Sequence, residues 1–296
     1  MEIIDTQIHQ PRPDKLFGPP DAERDHYGNL LRGGKGVSDA DFEVQQLLSI
    51  ELAREAMDSV GVDAALLNGP LQFMDAAIAR YPERFAACSS WDPAIADPEA
   101  WLREFTRDPA HLAIRLQFNP ALEPVYAAAE KLGVPVFGGF RAAAAVAPIA
   151  EAHQDLTIIV DHFGLSQPPV YAQKPDPWDE LPITLALARF PNVLVKFSGA
   201  PALSLEPYPH ADLWPHLHQV IDAFGPDRLM WASDFTRMRM ARGDTSRIGP
   251  KAQWGGLYSD SVGFLRDTLE VSAADKEKIF GSTARRVLGW PKGPRS

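Results

Sequence analysis

The sequence has a single cysteine, Cys88, in 296 residues. One cysteine excludes an internal disulfide and any metal cluster built on thiolates. The sequence also lacks a run of about 18 apolar residues, the length that a membrane-spanning helix needs, so we expect no membrane association. The first residues do not combine a basic segment with an apolar one. We therefore expect no secretory signal and interpret the protein as cytoplasmic.

Basic charge is scarce as well, because 29 Lys and Arg residues stand against 39 Asp and Glu residues, for a net charge of −10. General nucleic-acid binding needs a basic surface, so this balance argues against a nucleic-acid partner. It does not exclude a small anionic substrate, because one local arginine can outweigh a distant acidic surface. No glycine-rich phosphate loop follows any predicted strand, which removes the usual support for a nucleotide-binding sheet.

Short apolar runs rich in β-branched residues recur along the chain. They are too short for typical helices and nearly apolar throughout, as strands covered on both faces should be. We interpret eight of these runs as strands, over residues 2–9, 63–69, 85–91, 112–118, 134–140, 156–164, 193–199 and 229–235.

Helical patterns separate the predicted strands. One covers residues 41–61, and another covers residues 97–108, where Asp97 and Pro98 suit the N-cap and the first helical position. Strands alternating with helices predict an α/β fold, a (β/α)8 TIM barrel that forms one domain over residues 1–296. An open doubly wound sheet is the alternative.

Three long connections rich in proline or glycine follow predicted strands, over residues 10–38, 165–181 and 236–257. In a TIM barrel such loops lie at the C-terminal face, where active sites are built, so we predict that they cover a pocket. Plain surface loops are the alternative. The aromatic residues of these loops either close over a ring-shaped substrate or pack within the loops: Phe17, Tyr171, Trp178 and Trp254.

Polar residues gather where the predicted strands end. Successive residues point to opposite faces of a strand, so Gln7 and His9 should share one face, with Asp5 deeper on the same face. Taken singly, each polar residue has an ordinary structural interpretation, such as a helix cap or an internal ion pair. Their arrival at the same ends of several strands predicts one shared site. The other members are Arg115, Gln117, Asp161, His162, Lys196, Ser198, Ser233 and Asp234.

The segments "IIDTQIH", "HLAIRLQF", "LTIIVDHFGL", "FPNVLVKFSGAP" and "LMWASDFTR" carry a resemblance. With them the chain resembles, nearly end to end, the amidohydrolase-related family of TIM-barrel hydrolases. That family includes metal-dependent decarboxylases and hydratases, and lactonases of which some work without a metal. Its metal-binding members use two histidines on strand one, a histidine on strand five and the aspartate after strand eight.

The chain departs from that ligand pattern. Gln7 stands at the first histidine position, and the strand-five sequence "VFGGF" offers no ligand, so His9 and Asp234 alone match the family's ligands. His162 falls where the family places a second-shell or substrate-polarising histidine. Because Zn²⁺ normally takes three strong protein ligands, the resemblance implies a site without a tightly bound metal and with no cofactor. The alternative is a zinc ion held by His9, His162 and Asp234.

Without a metal, water must be activated by a base, and Asp234 resembles the family's base. A carboxylate of ordinary pKa is a poor base toward water, so the substrate must carry a reactive ester or lactone carbonyl. His162, His9 and the amide of Gln7 would hold the oxyanion. An anionic substrate is indicated by Arg115, Arg237 and Arg239.

These features and the resemblance predict a hydrolase of small-molecule catabolism that opens a carboxylated lactone or ester. The predicted catalytic residues are Asp234, His162 and His9, and the predicted substrate contacts are Gln7, Arg115, Gln117, Arg237 and Trp178. Two alternatives stay open, a metal-dependent decarboxylase or hydrolase of the same fold and a non-catalytic binding protein. A homodimer is also compatible with the long helix over residues 41–61.

Overall fold

The structure is a computed structural model that describes residues 1–11, 39–138, 143–166, 176–238 and 258–290. For residues 39–45 and 237–238 it describes the backbone alone. Across those ranges, no helix combines the length and the apolar composition that crossing a bilayer requires. The loop residues Phe17, Tyr171, Arg239 and Trp254 lie outside the described residues, and so do the side chain of Arg237 and most of the three predicted long loops.

Within the described residues, eight strands form one sheet in which each strand runs parallel to the next along the chain. The last strand returns to the first, where the Asp234 N–H donates to the carbonyl of Gln7 over 3.1 Å. The sheet is therefore a nearly closed barrel, and the predicted (β/α)8 TIM barrel is confirmed. The strands are β1 (Ile4–His9), β2 (Ala64–Asn68), β3 (Phe85–Ser90), β4 (His111–Leu116), β5 (Val136–Gly138), β6 (Ile158–Val160), β7 (Val193–Ser198) and β8 (Leu229–Ala232).

Helices connect the strands on the outside of the barrel. The predicted helix over residues 97–108 is confirmed as Pro98–Phe105, and the carboxylate of Asp97 accepts a hydrogen bond from Ala100 N over 3.0 Å, as an N-cap should. The helix Leu71–Arg80 was not predicted. In chain order the described α-helices are α1 (Asp39–Val60), α2 (Leu71–Arg80), α3 (Pro98–Phe105), α4 (Glu123–Leu132), α5 (Ala143–Ala152), α6 (Leu181–Leu185), α7 (Trp214–Phe224), α8 (Phe235–Met238), α9 (Tyr258–Arg266), α10 (Ala273–Glu277) and α11 (Thr283–Leu288).

Two buried apolar clusters show which face of each strand lies inside the barrel. Ile4 belongs to the smaller cluster that fills the barrel, together with Leu66, Cys88 and Met230. The larger cluster lies between the sheet and the helices. Along a strand, the residues two positions beyond an inward apolar residue also face inward, so the polar residues near the strand ends are directed into the mouth of the barrel.

β1 breaks the simple alternation. Ile4 packs inside the barrel whereas Ile8 packs outside it, and the pairing with β2 shifts register between Asp5 and Ile8. Such a bulge reverses the facing of the residues that follow it. As a result Gln7 and His9 face inward, while Asp5 faces outward. The expectation that Asp5 shares the face of Gln7 and His9 is therefore wrong, because strict alternation ignores the bulge.

Candidate active site

A carboxylate and two imidazoles meet at the C-terminal mouth of the barrel. His9, the last residue of β1, places Nε2 3.3 Å from Oδ1 of Asp234. His162, in the turn after β6, places Nε2 3.6 Å from Oδ2 of the same carboxylate. The Asp234 carboxylate therefore faces one ring with each oxygen. The structure brings the three predicted catalytic residues together.

His162 and Asp234 are not on strands but in tight turns just beyond β6 and β8, which end earlier than predicted. Their backbone φ angles are +52° and +50°, and Phe163 follows at +56°. Non-glycine residues rarely adopt this left-handed conformation, which persists where surrounding contacts enforce it. The N–H of His162 donates to Ser198 Oγ over 3.3 Å, and the same hydroxyl lies 2.9 Å from Nδ1 of its ring. Ser198 thus fixes both the turn and the ring.

A buried carboxylate on the outer side of β1 supports the turn that carries Asp234. Asp5 Oδ1 accepts hydrogen bonds from the N–H groups of Gln7 (3.1 Å) and Ser233 (3.0 Å). Asp5 Oδ2 accepts from the hydroxyls of Ser233 (2.5 Å) and Tyr258 (2.8 Å). Burial raises the pKa of Asp5 above its ordinary value, although these hydrogen bonds oppose the rise. Asp5 therefore ties together β1, the turn after β8 and α9.

The floor of the site carries two cations and one carboxylate. Asp161, in the turn after β6, lies 2.8 Å from Nε of Arg115 and 3.2 Å from Nζ of Lys196. Its side chain is fully buried, which by itself raises the pKa of Asp161. The charges of Lys196 and Arg115 outweigh burial and hold that pKa well below its usual range. Asp161 is therefore ionised and shares its charge between both cations.

Lys196 also contacts the side chain of Gln7. Its Nζ donates to Gln7 Oε1 over 2.8 Å and to the carbonyl of Thr6 over 2.9 Å, and it lies 4.2 Å from the centre of the Phe137 ring. Because the amide oxygen of Gln7 faces Lys196, the amide nitrogen faces the mouth. It lies 3.4 Å from Nε2 of His9 and 3.4 Å from Nε2 of His162.

This arrangement does not suit a metal ion bound at position 7. An amide nitrogen is a donor without a free lone pair and cannot ligate a cation. The end of β5 supplies Gly138 rather than a ligand. Within the described ranges, no three His, Cys, Asp or Glu side chains are grouped in a way that could hold a metal ion. The donors at the site therefore do not fit the ligand set of the family's metal-binding members.

The predicted substrate contacts are only partly assembled with the catalytic groups. Arg115 is linked to the site by its ion pair with Asp161, the residue before His162. No described residue accepts a hydrogen bond from its terminal Nη groups. Gln117 follows β4 directly and is exposed. Trp178 is buried, with its ring stacked on His216 at 4.5 Å and tilted against Phe163 at 5.9 Å. Its predicted substrate contact remains a prediction.

The structure gives roles to residues for which the sequence analysis predicted none. Lys196, Ser198 and Asp161 were counted among the residues of the shared site but were not assigned a role in it. Asn68 was not singled out, although it ends β2 opposite His9 and follows the inward-facing Leu66 by two positions. Every second residue of a strand faces into the barrel. Following these positions to the end of each strand, and one residue beyond β6, would have pointed to all four residues.

The fold and the site together define a TIM-barrel protein with a carboxylate and two imidazoles gathered at the C-terminal mouth. Comparison with known sequences places it more narrowly. Residues 4–290 match the amidohydrolase family, to which the chain therefore belongs.

Two curated relatives are each 31% identical to this chain. One is L-fucono-1,5-lactonase of Burkholderia ambifaria, aligned over 173 residues, 53% of this chain and 57% of the relative. The other is 4-sulfomuconolactone hydrolase of Hydrogenophaga intermedia, aligned over 143 residues, 48% of this chain and 45% of the relative. The chain thus spans about half the length of the curated relatives it matches.

A solved structure confirms the fold alone. An amidohydrolase from Burkholderia multivorans with bound zinc superposes with a TM-score of 0.64 at 16% identity, covering 98% of this chain and all of the other. At 16% identity this similarity shows a shared barrel fold only.

Proposed function

We propose that this protein hydrolyses a small carboxylated lactone or ester, using Asp234 to activate water and without a tightly bound metal. The observation that carries the proposal is the position of the Asp234 carboxylate, 3.3 Å from His9 Nε2 and 3.6 Å from His162 Nε2. A base and two hydrogen-bonding rings are thereby directed at one small space. The two relatives whose names state lactone hydrolysis support the same reaction class.

In the proposed reaction Asp234 takes a proton from water as the oxygen attacks the carbonyl carbon. An aspartate has an ordinary pKa near 4 and removes a proton from water inefficiently, so the carbonyl must be reactive. A lactone meets this requirement better than an amide, because its alkoxide leaving group departs more easily. Ring opening then needs one proton on the leaving oxygen, which the protonated Asp234 or an adjacent imidazole supplies.

Hydrogen-bond donors would hold the negative charge that develops on the carbonyl oxygen. The amide nitrogen of Gln7 stands between the two rings and can donate into the same space. Each preorganised donor of this kind is typically worth a factor of about 10²–10³ in rate. Gln7 would therefore polarise the carbonyl where metal-binding relatives place a ligand.

Arg115 is the proposed contact for the substrate carboxylate. Its Nε is engaged by Asp161, which holds the guanidinium in place and directs the two Nη groups elsewhere. A guanidinium with free terminal N–H groups binds a carboxylate in a two-pronged manner that a lysine cannot reproduce. Gln117, Trp178 and Arg237 are the further proposed contacts. The partner is therefore a small organic anion.

The test is turnover of a lactone panel by the purified protein and by Asp234→Asn. The panel contains sugar 1,5-lactones and muconolactone-type lactones, with and without a carboxylate. We expect wild type to open at least one carboxylated lactone and Asp234→Asn to lose about 10²–10⁴-fold in kcat. Asp75→Asn, a surface aspartate paired with His111 over 2.8 Å, is the matched control and should be fully active.

Metal analysis completes the test. Protein purified without chelators and then treated with a chelator should keep its activity. Stoichiometric zinc or manganese, lost together with activity, would contradict the proposed reaction and favour the metal-dependent alternative. Binding of a panel lactone without turnover would favour a non-catalytic binding protein.

A further inference from the structure

The strongest unassigned feature of the site is the buried ammonium group of Lys196. It lies on β7, with 1% of the residue exposed, and the proposed reaction gives it no direct part. A lysine carries three N–H donors. Its Nζ donates to Gln7 Oε1 (2.8 Å) and to the Thr6 carbonyl (2.9 Å), and it forms an ion pair with Asp161 Oδ1 at 3.2 Å. Gln7 therefore supplies one of the two hydrogen-bond acceptors that this ammonium group has among the described residues.

The amide of Gln7 can in principle turn either end toward the mouth. With the oxygen toward the mouth, the amide N–H2 group would face the ammonium of Lys196, and donors would oppose donors in a buried place. Lys196 would then lose one of its two described hydrogen-bond acceptors, and buried donors without partners are costly. The observed orientation satisfies Lys196 and leaves the N–H2 group facing His9 and His162.

We propose that Lys196 is a positioning residue that holds the Gln7 amide with its nitrogen toward His9 and His162, so that position 7 acts as a hydrogen-bond donor and not as a ligand. Lys196 acts through Gln7 and does not touch the substrate. The contribution of this donor to catalysis rests on the proposed function, whereas the orientation itself does not. The orientation of the Gln7 amide and its contribution to catalysis can therefore be tested separately.

The first experiment follows the imidazoles of His9 and His162 by NMR titration and needs no substrate. The chain has eight histidines, and His9→Asn and His162→Asn assign the two signals. Lys196→Met should raise their titration midpoints by roughly one pH unit, because a buried positive charge beyond Gln7 and one donor to the rings are lost together. Lys131→Met, which removes an exposed lysine paired with Glu99, is the control and should leave both midpoints unchanged.

A double-mutant cycle separates the amide from the charge. In a Gln7→Met background no amide remains to be oriented, so Lys196→Met should shift the midpoints distinctly less than it does in wild type. A smaller shift in that background supports the proposal. Equal shifts in both backgrounds mean that the charge of Lys196 acts alone, and overturn it. So do unchanged midpoints in Lys196→Met.

The second experiment uses the lactone on which wild type is active. Lys196→Met and Gln7→Met should each lower kcat by about 10²-fold with KM little changed, because both remove the same donor to the oxyanion. The double variant Gln7→Met/Lys196→Met should lose no more than Gln7→Met alone. Multiplied losses would show that Lys196 acts independently, and would overturn the proposal.

A conservative variant guards against simple misfolding. Lys196→Gln is neutral but keeps an amide N–H that can donate to Gln7 Oε1. We expect Lys196→Gln to retain most of the kcat that Lys196→Met loses. If Lys196→Met does not fold, Lys196→Gln alone still tests the proposal, because a loss of about 10²-fold in kcat although the donor is kept would overturn it. An equal loss in both variants would overturn the proposal. If no lactone is turned over by wild type, the proposed function fails while the titration still decides the role of Lys196.

Discussion

Replacing Asp161 by asparagine should destabilise the barrel more than any single surface charge change. The Asp161 side chain is 0% exposed and faces two cations, Arg115 Nε at 2.8 Å and Lys196 Nζ at 3.2 Å. In Asp161→Asn both cations keep their charge and lose the carboxylate that compensates it. Removing one partner from a buried ion pair typically costs about 3–5 kcal/mol, and no solvent screening reduces the cost here. A loss of that size lowers the folding equilibrium constant more than a hundredfold.

The pH dependence of the folding stability provides a second, independent test of this prediction. The pKa of Asp161 is lower in the folded than in the unfolded protein. Its contribution to stability is therefore complete above the unfolded pKa of about 4 and is lost as the pH falls below that value toward the folded pKa. Wild type should lose stability as the pH falls from about 4 to about 3, whereas Asp161→Asn should lose less over the same interval.

The chain offers a matched control at its surface. Asp58 also faces two cations, Arg54 Nη1 at 2.7 Å and Arg84 Nη2 at 2.8 Å, but its side chain is 44% exposed. Asp58→Asn should therefore cost at most about 1 kcal/mol. Urea unfolding of the three proteins, at pH 7 and at several values down to pH 3, measures both effects. A cost for Asp161→Asn no larger than that for Asp58→Asn, or an unchanged acid sensitivity, would refute the reasoning.

Two further predictions concern the supports of the site. Tyr258→Phe removes the 2.8 Å hydrogen bond to Asp5 Oδ2 and should cost about 1.5–3 kcal/mol in urea unfolding. Because burial already raises the pKa of Asp5, the cost should grow from pH 4 to pH 8, and a cost that shrinks as the pH rises would contradict this account. Gly138→Ala should cost about 3 kcal/mol or more, because a Cβ there would lie 1.9 Å from the carbonyl oxygen of Leu116. Gly133→Ala, at a positive φ but with open space around it, should cost only about 1–2 kcal/mol, and equal costs at the two positions would contradict the clash.

The barrel could be predicted from the sequence because its signal is local and repeated. A run such as "FAACSSW", over residues 85–91, is apolar through most of its length, and it is followed by the helical pattern over residues 97–108, which returns the chain. The polar residues at the ends of such runs then converge by the geometry of the fold alone. The sequence predicted in this way that His9, His162 and Asp234 would lie near one another.

What the sequence could not show depends on contacts between distant segments. The bulge in β1 sends Asp5 outward, yet nothing in "IIDTQIH" distinguishes it from a regular strand. His162 and Asp234 adopt left-handed turns that are held by Ser198 and by the carbonyl of Gln7, which come from other strands. The orientation of the Gln7 amide is likewise decided by a lysine 189 positions away.

The charges of the described residues bear on the proposed metal-free reaction. Among these residues the carboxylates Asp161 and Asp234 stand against the cations Arg115 and Lys196, so their formal charges sum to zero when both imidazoles are neutral. In the proposed reaction the charge of Asp234 would disappear as it takes the proton of the attacking water, and the oxyanion would carry the same charge a short distance away. The total is therefore conserved through the step that forms the oxyanion. Adding a divalent cation to this set would leave two uncompensated positive charges in a buried space, whereas the fixed charge of Lys196 is already balanced by Asp161.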